Sequence, residues 1–265
     1  MPIEPRSPLR TMAQQEFGDI AYGVVGEAFA VHEELGRFLD ERVYQAALRH
    51  RLGERAQTEF PVRVWHRDFE TVYALDLVVD GGAVFELKTV TALTGRHRSQ
   101  LMNYLMLTET HHGKLLNFAP DRVEHAFVNA LPTLEGRRQF SVRREEWSAS
   151  PAGSQTFADV LVELLADWGA GLALPLYEAA VTHFLGGEEH VLSTVEVALG
   201  GLPCGEAEVR LLNPRTAFWL SCVKPDDCTA FETHLRRFLR NSSLDHIQWA
   251  NITLKELTLR TLAKP

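Results

Sequence analysis

The sequence contains no stretch approaching the roughly 20 apolar residues that a membrane helix needs, and no membrane association is expected. Its opening residues, MPIEPRSPLRTMAQQEFGD, hold no apolar run of the kind that directs secretion. Cysteine is scarce: Cys204, Cys222 and Cys228 are odd in number and lack metal-ligand spacing, which reads as reduced thiols in a cytoplasmic protein. Positive charge is also in deficit. With 27 Lys+Arg against 35 Asp+Glu the net charge is −8, which argues against coating nucleic acid by bulk charge. It leaves room for an enzyme that grips DNA or RNA locally. A glycine-rich, phosphate-cradling loop is missing too, which weighs against a small-phosphoester hydrolase.

What remains is ordinary globular composition, 45% hydrophobic and 23% charged over 265 residues. That length fits one large domain or two of ordinary size. Residues 1–18 read as a loose polar arm. Helix-face spacing predicts helices over 20–35 and 39–52, stopped by Gly36 and Gly53. Alternation predicts strands over 58–65, 72–79 and 83–90, with Asp80-Gly81-Gly82 as a hairpin turn. A helix over 97–108 and strands over 114–118, 123–129 and 136–142 follow. The small, polar segment 148–156 reads as a linker. Neither side of it is basic: residues 1–149 hold 18 Lys+Arg against 21 Asp+Glu, and residues 150–265 hold 9 against 14.

The chemistry-bearing constellation is Asp76 with Glu86-Leu87-Lys88. A three-residue turn at 80–82 sets Val79 opposite Ala83, and the same register sets Asp76 opposite Glu86, their Cβ atoms about 4.5–5.5 Å apart. Lys88, two residues on, shares that face. Both strands read as buried, where paired carboxylates are costly unless a cation neutralises them. Hard oxygen donors suit Mg²⁺ or Mn²⁺, and a neighbouring lysine can orient water or stabilise charge on phosphate. A cross-strand salt bridge on a surface hairpin is the plainer reading, disfavoured by the apolar neighbours. Gln100 and Tyr104 share a helix face at i, i+4 and can position Lys88, water or phosphate. Arg96, His97 and Arg98 precede them as candidate substrate contacts. Glu41 can join the cluster from the second helix, where Tyr44 lies one turn on as a further substrate contact.

Taken in order, Val31-His32-Glu33-Glu34-Leu35-Gly36, Glu41-Arg42-Val43-Tyr44, Asp76, Glu86-Leu87-Lys88, His97, Gln100 to Tyr104 and Leu115-Leu116-Asn117-Phe118 resemble the GxxExxY family of the PD-(D/E)xK nuclease superfamily, over residues 18–130. The resemblance implies metal binding by Asp76 and Glu86 and a catalytic Lys88. It also implies assistance from Glu41 and a QxxxY element at Gln100 and Tyr104. One departure is Phe38, which stands where the motif glycine falls.

The second half reads as a worn copy of the first. Residues 36–53 and 169–186 are identical at eight of eighteen positions, including Gly36/Gly169, Tyr44/Tyr177 and Gly53/Gly186. Residues 83–118 track 217–252 at an offset of 134, with Leu101/Leu235, Leu105/Leu239 and Asn117/Asn251. This alignment sets Arg210, Leu220, Cys222, His234 and Leu174 against Asp76, Glu86, Lys88, Gln100 and Glu41, so the chemistry is erased there. It predicts a central strand over 217–223 and a helix after it over 229–240. The expectation is an α/β protein of two lobes, each a mixed sheet flanked by helices: 18–147 nuclease-like, and 157–262 a degenerate pseudo-repeat. The expected activity is metal-dependent phosphodiester hydrolysis, DNA ahead of RNA, in a monomeric pseudo-dimer, with a homo-oligomer also compatible. The competing expectation is a catalytically silent module that binds nucleic acid or protein.

Overall fold

The computed structural model describes residues 2–130 and 132–264. The chain divides into two units, Met1–Leu134 and Glu135–Pro265, each built on a six-stranded mixed sheet flanked by helices.

In the first unit β1 (Ile3–Pro5) precedes α1 (Gln14–Leu35) and α2 (Glu41–Leu52). The long hairpin β2 (Ala56–His66) and β3 (Phe69–Val79) leads to β4 (Ala83–Lys88). Then come α3 (Gly95–Thr108), β5 (His112–Asn117) and β6 (Glu124–Asn129). The sheet order is β1-β2-β3-β4-β5-β6. Only the β4–β5 pair is parallel, and a parallel neighbour needs a crossover, which α3 supplies. Phe17, Ala21, Val24, Ala28 and Val31 bury one stripe of α1. With Tyr44 and Leu48 of α2 they pack on Leu77, Val79, Phe85, Leu87, Leu116 and Phe118. The expected loose arm is structured: Ile3–Pro5 pairs antiparallel with β2, and α1 begins at Gln14. Three residues of strand are too few to leave an alternation signal.

The second unit contains α4 (Leu134–Arg138, which spans the boundary), β7 (Ser141–Glu146), α5 (Ser154–Trp168), α6 (Leu174–Phe184) and α7 (Glu188–Val191). Next come β8 (Leu192–Leu199), β9 (Leu202–Asn213), β10 (Thr216–Ser221), α8 (Cys228–Asn241), β11 (His246–Ile252) and β12 (Glu256–Ala263). The sheet order is β7-β12-β11-β10-β9-β8. The strand expected over 136–142 is replaced by α4 and then β7, whose side chains are all exposed and so show no hydrophobic pattern. Because β7 pairs with β12, the polar segment 148–156 lies inside this unit, and the division falls earlier, at Leu134.

Apart from the short β1, β7, α4 and α7, both units run helix, helix, three antiparallel strands, crossover helix, parallel strand, antiparallel strand. β10 lies between β9 and β11 inside its sheet and is followed by α8. Pairing corrects the alignment by one residue. Lys88 pairs with Asn117, whereas Ser221 pairs with Asn251. Ser221 therefore matches Lys88 and Trp219 matches Glu86. Continuing the Ala217↔Leu211 and Phe218↔Arg210 register matches Val209 to Asp76. The uniform offset of 134 instead sets Cys222, Leu220 and Arg210 at these positions, a one-residue slip that puts them on the wrong face.

Candidate active site

β3 and β4 pair as Leu77↔Phe85, Val78↔Val84 and Val79↔Ala83, the register that the turn length predicts. Asp80 and Gly81 both have left-handed φ, +50° and +70°. Arg55 holds the Asp80 carboxylate by two hydrogen bonds of 2.9 and 2.7 Å. The next pair in this register is Asp76 and Glu86. Asp76 Oδ2 accepts a 2.7 Å hydrogen bond from the Leu87 amide, which anchors the side chain where the ladder stops.

The Lys88 ammonium lies among three carboxylates. It donates 2.7 Å bonds to Glu86 Oε1 and to the Leu87 carbonyl. Glu41 Oε2 is 3.7 Å away and Asp76 Oδ2 3.9 Å. The Glu86 side chain is 1% exposed, Lys88 12%, Asp76 16% and Glu41 37%, so the cluster opens towards Glu41. Burial, reinforced by the Asp76 charge, pushes Glu86 up to about 8. Burial also raises Asp76 and Glu41. For Lys88, burial acts downward, but the charges of Glu86, Asp76 and Glu41 outweigh it and the pKa rises.

Glu41 is the first residue of α2, and its position depends on Tyr44. The Tyr44 hydroxyl donates to the Gly36 carbonyl (2.7 Å) and accepts from the Leu39 amide (3.3 Å), while its ring stacks on Phe118 at 4.4 Å. Tyr44 is fully buried, which corrects its expected role as a substrate contact: it braces the turn that delivers Glu41. Phe38, in the motif-glycine position, is not among the described non-glycine residues with positive φ, so this turn does not require glycine.

Gln100 Nε2 donates to the Tyr104 hydroxyl at 3.2 Å. Burial raises the Tyr104 pKa, with a further rise from Glu86 and Asp76, so the phenol feels the acidic cluster. His97 is a capping residue: its Nδ1 accepts from the Thr94 amide at 3.1 Å, closing a capping box. Arg98 donates to the Phe127 carbonyl on β6 at 3.2 Å. Arg96 is exposed in the first turn of α3.

Two supporting residues, Gln45 and Glu59, escape motif reasoning, and a third, Asn117, lies in a quoted motif without a role assigned to it. Gln45, one turn after Glu41, donates 2.8 Å bonds to both the Asp76 carbonyl and Glu59 Oε1. Glu59 has φ +48° and sits between the pairs Thr58↔Leu77 and Phe60↔Leu75, opposite Asp76. Asn117 pins the segment after Lys88, donating to Val90 O (2.8 Å) and accepting from Val90 N (3.0 Å). The left-handed Glu59 and the pairwise role of Gln45 have no sequence signature.

Among the described residues no group of three or more His, Cys, Asp or Glu is drawn together closely enough to hold a metal ion as it stands, but the donors are chemically those of a hard divalent cation. Three carboxylates and a backbone carbonyl gather around one positive charge, and Glu86 Oε2 is buried without a hydrogen-bond partner among the described residues. A buried unpaired carboxylate oxygen facing further carboxylates is what a cation would satisfy.

Residues 18–128 match the PD-(D/E)XK nuclease superfamily. They span α1 from its second turn to the penultimate residue of β6 and include Glu41, Asp76, Glu86, Lys88, Gln100 and Tyr104. One solved structure, the crystal structure of SSO0001, aligns over 42% of this chain and 77% of its own, at 17% identity and a TM-score of 0.29. No curated protein matches. Among the described residues no helix is long and apolar enough to cross a membrane.

Proposed function

We propose that the first unit is a divalent-metal-dependent nuclease that hydrolyses phosphodiester bonds, DNA ahead of RNA. The observation that carries this reading is the convergence of Asp76, Glu86 and Glu41 on one cationic position just past the last paired residues of β3 and β4. Asp76 and Glu86 would hold Mg²⁺ or Mn²⁺; when bound, such an ion activates water and offsets charge on the attacked phosphate. Lys88 then carries its ammonium towards the phosphoryl oxygens, where negative charge grows during in-line attack on phosphorus. Glu41, the most exposed acid of the cluster, is placed to orient the attacking water and take its proton. Gln100 and Tyr104 present an amide and a phenol to the same space.

The test is cleavage of a supercoiled plasmid and of labelled oligonucleotides with Mg²⁺ or Mn²⁺. Wild-type protein cleaves, and Asp76→Ala and Lys88→Ala each lower the rate by about 10³-fold or more. Cleavage that survives both substitutions overturns the assignment. Binding without metal-dependent turnover selects the silent-module reading instead.

The second unit, by the same reading, is a copy of this fold from which the chemistry has been lost. Beyond shared topology, two hydrogen-bond devices recur. Tyr177 donates to Gly169 O (2.5 Å) and accepts from Leu172 N (3.4 Å), as Tyr44 does with Gly36 and Leu39. Gly169 and Gly36 have φ of 75° and 74°. Asn251 donates to Val223 O (2.9 Å) and accepts from Val223 N (2.7 Å), as Asn117 does with Val90. One live site per chain predicts that a monomer nicks the plasmid before linearising it.

A further inference from the structure

The turn between α1 and α2 does not require glycine at residue 38, and the ring that stands there is unburied. Phe38 is 88% exposed, the most exposed large apolar side chain among the described residues. A single exposed ring on a surface needs no explanation; its place in the fold is what sets Phe38 apart. Phe38 is three residues before Glu41, so their Cα atoms are at most about 11 Å apart. Glu41 Oε2 in turn lies 3.7 Å from the Lys88 ammonium. The turn is held on both sides of the ring. Tyr44 binds Gly36 and Leu39, and Arg37 pairs with Asp121. Asp121 belongs to the loop after β5, where the Phe118 amide donates to the Lys88 carbonyl at 2.8 Å. Phe38 therefore stands at the end of the sheet that delivers Lys88, on the Glu41 side, towards which the acidic cluster opens.

The ring carries a cation with it. Arg37 Cζ lies 5.0 Å from its centre, a cation–π contact. Among the described residues no other ring or cation packs on Phe38. The Asp121 side chain that pairs with Arg37 is 90% exposed, and an ion pair so open to water contributes little. A phosphate can replace that carboxylate on the guanidinium. The acids of the turn, Asp40 and Glu41, follow the ring in sequence, and Arg37 precedes it. A flat apolar face backed by a guanidinium complements a nucleotide, whose base stacks and whose phosphate pairs.

We propose that Phe38 is a specificity-determining residue at the rim of the active site. Its open face stacks on an unpaired base next to the scissile phosphate, and Arg37 takes a neighbouring phosphate in exchange for Asp121. An intact duplex keeps each base stacked between its neighbours and offers no face to the ring. The substrate is therefore a single strand or a frayed end or flap. This rests on the reading of the first unit as a nuclease, and it names the form of nucleic acid that the site accepts.

The test is anisotropy of a short fluorescein-labelled single strand of DNA with the full-length protein in EDTA, which separates binding from cleavage. Phe38→Ala weakens binding about tenfold, and Phe38→Trp, which keeps a stacking face, retains it. A strand of abasic residues, which keeps every phosphate and loses every base, binds wild type and Phe38→Ala alike. Arg37→Gln lowers the slope of log K against log salt by about 0.7, the value for one lost phosphate contact. The abasic comparison on wild type needs no variant, so the proposal can fail there even if Phe38→Ala does not fold. Unchanged affinity for the normal strand in Phe38→Ala overturns the proposal, as does an equal loss on duplex or on the abasic strand. So does a wild-type protein that binds no strand, or that binds the abasic strand as tightly as the normal one. Sedimentation that finds a wild-type dimer parted by Phe38→Ala assigns the ring to a second copy of the chain and overturns it too. The nuclease reading is judged separately, by loss of cleavage in Asp76→Ala: either reading can fail while the other stands.

Discussion

Glu86 and Lys88, two residues apart on β4, form a 2.7 Å ion pair that satisfies only one oxygen of the carboxylate. The lysine ammonium stands where the three acids place negative potential, and the second oxygen, Oε2, has no hydrogen-bond partner among the described residues. The strand is organised around a charge it does not fully neutralise.

Glu86→Gln is therefore expected to abolish cleavage and yet stabilise the metal-free protein by about 1–3 kcal/mol at pH near 8.5. Burial and Asp76 raise the Glu86 pKa even beside Lys88, so a neutral isostere relieves more than it loses. Lys88→Met does the reverse, leaving the acids without a cation and costing about 3–5 kcal/mol at the same pH. Denaturant melts of the two variants in EDTA check both; destabilisation by Glu86→Gln would contradict the account.

Stability without metal should fall as pH rises. Glu86 keeps its proton up to about 8 in the folded chain against 4.5 unfolded, and Asp76 and Glu41 shift the same way. Between those values the folded state binds more protons, so the slope is negative. Lys88 is also raised and adds to the loss at alkaline pH. Melting temperatures in EDTA are expected to drop between about pH 5 and 8.5 from this site. Mg²⁺ should restore them at the upper end and do little at the lower, where protons compete. A profile indifferent to Mg²⁺ at every pH would remove the case for a cation here.

Tyr44→Phe and Tyr177→Phe give a matched pair. Each removes a hydroxyl that serves one carbonyl and one amide, at a cost of about 1–2 kcal/mol. Tyr44→Phe should also lower the cleavage rate, because the turn it braces delivers Glu41. Tyr177→Phe should leave the rate unchanged, since Leu174 carries no chemistry. Equal rate losses in both variants would argue against separate roles.

Gly82→Ala tests the hairpin that sets the site register. A Cβ there would lie 2.1 Å from the Arg10 carbonyl, and Arg10 N is bonded to Gly81 O at 2.8 Å. The substitution must displace one backbone or the other, and a loss of about 1–3 kcal/mol is expected in a thermal melt.

The hairpin register was readable in advance because Asp80-Gly81-Gly82 fixes both turn length and conformation, and from it the opposition of Asp76 and Glu86 follows. Glu41, Gln100 and Tyr104 are expected at the site through the family resemblance, with helix spacing in support only for Gln100 and Tyr104. The bracing role of Tyr44 is not legible, since an aromatic with a hydroxyl looks the same in sequence whether it faces solvent or braces a turn. The proposed repeat is read in sequence from Gly36, Tyr44 and His50, whereas the strand register of the second unit is not. The crossover segment after Val90 and Val223 differs by one residue between the units, and only strand pairing reveals on which side. β7 was hidden because all six of its side chains face water.

Ile3–Pro5 lies along the outer edge of β2, pairing with Val62, Arg63 and Val64. Without it, an eleven-residue strand would present bare amides and carbonyls, a template on which other chains can grow. Trimming the first dozen residues is therefore expected to turn a well-behaved sample into one that precipitates or forms fibrils. Colloidal behaviour here depends on three residues remote in sequence from every group that does chemistry.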